Sequence, residues 1–156
     1  MPTILNIRPL LDAVKTRLAA LLTAQTFTVK AGGTAAVGIH LYRLPNSSLV
    51  NQLDDLAPFA IVSPLGGSDS SRTGVTNVRI MAGIYNTGAD GQGDADVERL
   101  AAAILRLSEE QAFAPHVLQD GIKFHFGDPE TGGQNHPEYY LTVDLAFSRE
   151  PVYLNQ

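Results

Sequence analysis

The chain has 156 residues, 44% of them hydrophobic and only 17% charged, below the share of about a quarter that is usual in soluble domains. That length suits one domain with a real hydrophobic core and leaves little room for a second, and the low charge leaves surface for partners. Eleven Lys and Arg against sixteen Asp and Glu give a net charge of -5 with no basic cluster, so the counterion release that drives nucleic-acid binding has no source here.

The start, Met1-Pro2-Thr3-Ile4-Leu5-Asn6, lacks the basic and long apolar regions of a signal peptide. No stretch approaches the roughly 18 apolar residues of a membrane span. The expectation is a soluble, non-secreted protein without membrane contact. The absence of Cys removes disulfides and thiolate metal sites together and fits a reducing cytoplasm. Ile7, Leu10, Leu11, Val14, Leu18, Leu21 and Leu22 recur at spacings of three and four. They predict an amphipathic helix over about 8–24, with Asn6 as N-cap and Pro9 in the first turn.

Residues 27–30 and 37–44 are strand-like, and Ala31-Gly32-Gly33-Thr34 between them allows a tight reversal, so a hairpin is expected. The segment from Pro45 to Asp55 carries mixed signals and reads as a loop. Phe59 to Ser63 is a continuous apolar run, as in a strand covered on both faces, with Pro64 limiting its extent. Residues 66–74 are a loop by composition. From 77 to 85 the chain alternates: Val78, Ile80, Ala82 and Ile84 face the core, whereas Asn77, Arg79, Met81 and Tyr85 face outward.

Asp94 and Asp96, followed by Val97, Leu100, Ala101, Ile104 and Leu107, predict a second helix over about 94–109. After Pro115 comes a last hairpin: Ile122, Phe124 and Phe126 share one face, then Tyr139, Leu141, Val143, Leu145 and Phe147. The expected core draws on Leu18, Phe59, Ile61, Ile80, Leu100, Ile104, Phe124, Val143 and Leu145. The order of elements lacks regular βαβ alternation and predicts an α+β fold, a mostly antiparallel sheet with two main helices packed on one face.

No reaction chemistry emerges. The four histidines, His40, His116, His125 and His136, have no partner at the spacing of paired ligands, although His125 and His136 could meet across the last hairpin; zinc would need further ligands. Asp90-Gly91-Gln92-Gly93-Asp94-Ala95-Asp96 departs from a calcium loop. The Gly66-Gly67 loop precedes no helix and has no lysine at the phosphate-binding position. No serine sits in a nucleophile elbow. The expectation is no enzyme, no cofactor and no metal. Residues 127–138 exceed the two to five residues a hairpin needs, so Asp128, Glu130, Gln134, Asn135 and His136 are candidate subunit or partner contacts. Asp69 and Arg72 in the 66–74 loop are the second set.

The stretch from about Asp54 to Arg106 resembles the tail terminator, or tail completion, family of long-tailed bacteriophages. It has a Leu56-Ala57-Pro58-Phe59 entry, a strand ending at a Pro-Leu-Gly loop, a strand running into Gly83-Ile84-Tyr85 and an Asp-rich turn before a helix. Pro137-Glu138-Tyr139-Tyr140 before an alternating strand resembles that family's closing region. These are packing motifs and cover about two-thirds of the chain. The resemblance implies one terminator-like domain over 1–156 and a structural virion protein that forms a homo-oligomeric ring, usually of six, on the last ring of the tail tube. Such a ring stops tube polymerisation and presents the surface for head-tail joining.

Its implied partners are itself, the tail tube protein and a head-tail connector or neck protein, with genomic DNA passing through the ring unbound. Its implied place is the virion tail, assembled in the host bacterial cytoplasm. A negative net charge suits a lumen through which DNA slides. A neck or head-completion adaptor is the alternative, and a tail tube subunit the third reading.

Overall fold

The computed structural model describes residues 5–44, 56–70, 72–89, 91–109, 113–128, 132–134 and 136–150. Helix α1 (Arg8–Leu22) buries Leu10, Leu11, Val14, Leu18 and Leu22, the stripe its spacing predicts. Its N-cap is Ile7 instead of Asn6, without a side-chain cap bond; with Pro9 inside the first turn, φ is already set for a helix. The helix stops before 24: the Thr23 hydroxyl donates to the carbonyl of Ala19 at 2.5 Å, and the Gln25 amide donates to Leu22 at 3.0 Å.

Strands β1 (Thr26–Thr28) and β2 (Thr34–Ala36) form the first hairpin, with Phe27 opposite Ala35. The expected partner, residues 37–44, leaves it. Strand β3 (Gly38–Leu41) joins the main sheet, parallel to β4 (Phe59–Asp69). Residues 45–55, expected as a loop, lie outside the described residues. The rest of the main sheet is antiparallel: β5 (Gly74–Tyr85), β6 (Val117–Leu118), β7 (Lys123–Phe126) and β8 (Glu138–Arg149). The order is β3-β4-β5-β8, and beyond β8 lie β6 against its end and β7 against its first half. The fold is α+β, with two helices among the described residues and a mostly antiparallel sheet.

The expected 66–74 loop is strand on both sides. β4 passes Pro64 through a register shift between Pro64 and Gly66 and continues to Asp69. Gly66 adopts φ 137° there, a conformation that side chains resist and glycine accepts at such a break in register. Ser70 closes the turn: its hydroxyl donates to the carbonyl of Thr73 at 2.9 Å and accepts from the Thr73 amide at 3.2 Å.

Helix α2 (Gln92–Leu105) starts two residues earlier than expected, after Gly91, with Asp94 in its first turn. A 3-10 turn, Arg106–Glu109, completes it. Asp96 instead accepts from the Asn86 amide at 2.8 Å, tying the helix to the end of β5.

One large core joins Leu11, Val14 and Leu18 of α1, Leu100 and Ile104 of α2, Ala60 and Val62 of β4, Val78, Ile80, Ala82 and Ile84 of β5, and Leu141, Val143, Leu145 and Phe147 of β8. A small second cluster groups Phe59, Ala57 and Tyr140, with Ile61, Met81 and Tyr85 against it. Phe59 and Ile61 therefore belong to this second cluster, since neighbours alternate faces along a strand. Phe124, expected in the core, is 49% exposed.

Candidate subunit interface

The sequence-derived contact residues fall into two groups at opposite ends of β8. Glu138 pairs with Tyr85 at one end and Arg149 with Gly74 at the other, a separation of about 36 Å at strand rise. They cannot form one site within a chain.

At the Arg149 end, the outer half of β4 from Pro64 to Asp69 is exposed along its length yet held in place. Asp69 ion-pairs with Arg149 at 2.9 Å, and the same guanidinium donates to the Thr76 hydroxyl at 3.0 Å. Asp69 thus braces the arm. Arg72 is exposed at the tip, and its amide faces the Ser70 hydroxyl at 3.4 Å.

At the Glu138 end, the loop folds back on its own strand. The Gln134 amide donates to the carbonyl of Tyr140 at 2.9 Å and accepts from its N–H at 2.7 Å, standing in for a strand residue. Asp128 lies in a tight reversal, its N–H donating to Gly133 at 2.9 Å and its carbonyl accepting from Gly132 at 2.7 Å. His136 Nδ1 meets the Tyr139 hydroxyl at 3.0 Å. Burial, and then the nearby Asp94, raise the pKa of that phenol. Glu130 and Asn135 lie outside the described residues.

Sequence reasoning missed a basin on β5, β8 and β7. A depression of about 280 Å³ is lined by Arg79, Lys123, Phe124, His125, Thr142 and Asp144. Arg79 and Asp144, directly opposite across β5 and β8, form a forked pair at 2.8 and 3.0 Å. This pairing raises the already high pKa of Arg79. The Thr142 hydroxyl is buried with no partner among the described residues. Because the ladder sets Lys123 opposite Asp144 and His125 opposite Thr142, four residues distant in sequence converge through register alone.

His125 lies in this basin and His136 against Tyr139, so the two do not meet as proposed across the hairpin. Among the described residues no group of three or more His, Cys, Asp or Glu is placed to hold a metal ion.

Two apolar features lie on the surface of the described residues. On β7, Phe124 and Phe126 are exposed and pack edge-to-face at 5.6 Å between centroids. At the opposite edge of the sheet, a groove of about 350 Å³ runs between α1 and β2–β3, lined by Lys15, Ala19, Leu22, Thr23, Ala36, Val37 and Ile39. The period of two around Phe124 and Phe126 was visible in the sequence. Their exposure was not, because a period of two states which side chains share a face and not whether that face is covered.

No protein-family model matches the chain, and no curated protein matches its sequence. No helix among the described residues is long and apolar enough to cross a membrane.

Proposed function

We propose that this chain is a structural ring subunit of the tail-terminator kind, which closes the head-proximal end of a phage tail tube and offers the surface for head joining. The observation that carries this reading is the β4–β5 arm: exposed from Pro64 to Asp69, yet paired through Asp69↔Gly74 and pinned by Arg149. A stiff strand pair with one solvent-exposed strand suits assembly, where recognition surface must be preorganised before a partner arrives. The sequence motifs at 56–59, 83–85 and 137–140 support the same reading, as does the acidic balance of the chain.

The finer architecture of that family belongs to the proposal too: both helices lie on the same face of the sheet. This is supported by the shared core of α1 and α2 with Ala60, Ile80 and Val143, residues that register across the strands on one side. The chain acts without chemistry of its own, in the virion tail, through contacts with itself, the tube and a connector.

Negative-stain microscopy of the purified protein tests this. Closed rings of uniform diameter are expected. Filaments of indefinite length overturn the reading in favour of a tube subunit, and labelling of this chain along the whole tail of intact particles overturns it as well.

A further inference from the structure

Neighbours along a strand alternate faces, so Arg79 and Met81 point away from the side of the sheet that buries Val78, Ile80 and Ala82. The ladders set Arg79, Asp144 and Lys123 in one row on that outer side and Met81, Thr142 and His125 in the next. All of these except Met81 line the basin of about 280 Å³.

The basin is rich in donors that nothing satisfies. Both oxygens of Asp144 accept from Nε and Nη2 of Arg79, at 2.8 and 3.0 Å. Nη1 of the same guanidinium, the Lys123 ammonium and the His125 ring have no partner among the described residues. The Thr142 hydroxyl has none among them either, although Thr142 is only 5% exposed. A buried polar group left in that state costs stability until something satisfies it. Arg79 and Lys123 against the single Asp144 leave the basin with one positive charge.

We infer that the basin is a site for one carboxylate group, held by Lys123 and by Nη1 of Arg79. A carboxylate carries one negative charge and only accepts hydrogen bonds, which matches the excess charge and the unsatisfied donors together. It accepts the bond that the Thr142 hydroxyl otherwise lacks. His125, opposite Thr142 in the ladder and exposed, is the ring that turns aside to admit it. The carboxylate comes from an Asp or Glu side chain of a second copy, of which each chain has sixteen, or from a small free acid. Neither source depends on the ring proposed above.

Titrating isotope-labelled protein with sodium acetate, against sodium chloride at equal ionic strength, tests the site by NMR. Saturable shifts of the Lys123, His125 and Thr142 signals are expected with acetate alone. Lys123→Met is expected to weaken acetate binding about tenfold or more, the effect of losing one charge-assisted bond. Thr142→Val keeps the shape of the side chain without its hydroxyl, so it is expected to weaken acetate binding while raising the unfolding midpoint. Equal shifts with chloride, or acetate binding indifferent to Lys123→Met, overturn the inference. A lowered midpoint for Thr142→Val overturns the part given to its hydroxyl.

Sedimentation of the wild-type protein with and without saturating acetate identifies the source. Loss of association, reproduced by Lys123→Met, assigns the carboxylate to a second copy, and unchanged association assigns it to a small acid. Rings that form while acetate fails to bind overturn this site and leave the ring reading standing.

Discussion

Gly83 sits near the end of β5 opposite Phe59, and the reason is spatial. A Cβ built on Gly83 would lie 2.5 Å from the Phe59 ring, which is itself only 1% exposed and has nowhere to go. The ring lies where another residue would have a side chain, and this holds the second cluster with Tyr140 and Ala57 together. Gly83→Ala is expected to cost about 1 to 3 kcal/mol through overpacking. Gly133, around which a Cβ would meet nothing within 4 Å, is the control. Gly133→Ala should stay within about 0.5 kcal/mol of wild type, and urea unfolding midpoints of the two variants separate these outcomes. From the sequence alone the two glycines look alike. Only the fold distinguishes one that admits a ring from one that lies in open space.

At the scale of elements, the β4–β5 arm behaves as a unit because Arg149 links three strands. Its guanidinium bonds Asp69 of β4 at 2.9 Å and Thr76 of β5 at 3.0 Å while its backbone lies in β8. The side chain is only 11% exposed, so these charge-assisted bonds are shielded and are together worth about 1.5 to 3 kcal/mol. Arg149→Ala is expected to loosen the arm locally, with amide hydrogen exchange at Gly67, Ser68 and Val75 faster by about tenfold for each 1.4 kcal/mol lost. Exchange at Ile80 and Val143 in the core should change much less. Equal acceleration everywhere would mean that Arg149 supports the global fold and not the arm.

The sequence presented 66–74 as a loop because Gly66, Gly67, Ser68 and Asp69 are poor strand formers. Cross-strand pairing and the Arg149 bonds override that local preference. The helices were legible for the opposite reason: a stripe such as Leu10, Leu11, Val14 and Leu18 is a local pattern that stays the same whatever it packs on.

For the whole molecule, two histidines near opposite edges of the sheet set a pH dependence. His40 on β3 and His116 just before β6 both have pKa values lowered, each first by burial and then by a cation, Lys15 and Arg149 respectively. A histidine lowered in the folded state leaves that state with fewer protons than the unfolded chain, whose histidines titrate near 6.5. Stability from this source is fully present above pH about 6.5 and is lost as pH falls from there toward the folded pKa values. The thermal midpoint should drop over that interval, and His40→Gln/His116→Gln should flatten the drop. A midpoint whose pH dependence is unchanged by the double substitution would assign the acid sensitivity to other groups.

The amino-acid sequence by itself determined what depends on neighbours along the chain. The apolar stripes of both helices, the two-residue period of 78–84 and 139–147, and the mixed α+β order follow from spacing, and spacing is a local property. The tertiary structure decided everything that depends on register and coverage. It took β3 out of the first hairpin to lie parallel to β4, and set Arg79 against Asp144 from 65 residues away. It held Gln134 inside its own subunit against Tyr140, and left Phe124 in solvent although it lies in the same row as the buried Val143. The physical reason is that a strand's pattern states which side chains share a face but not which strand lies beside it, nor how far the covering layer reaches.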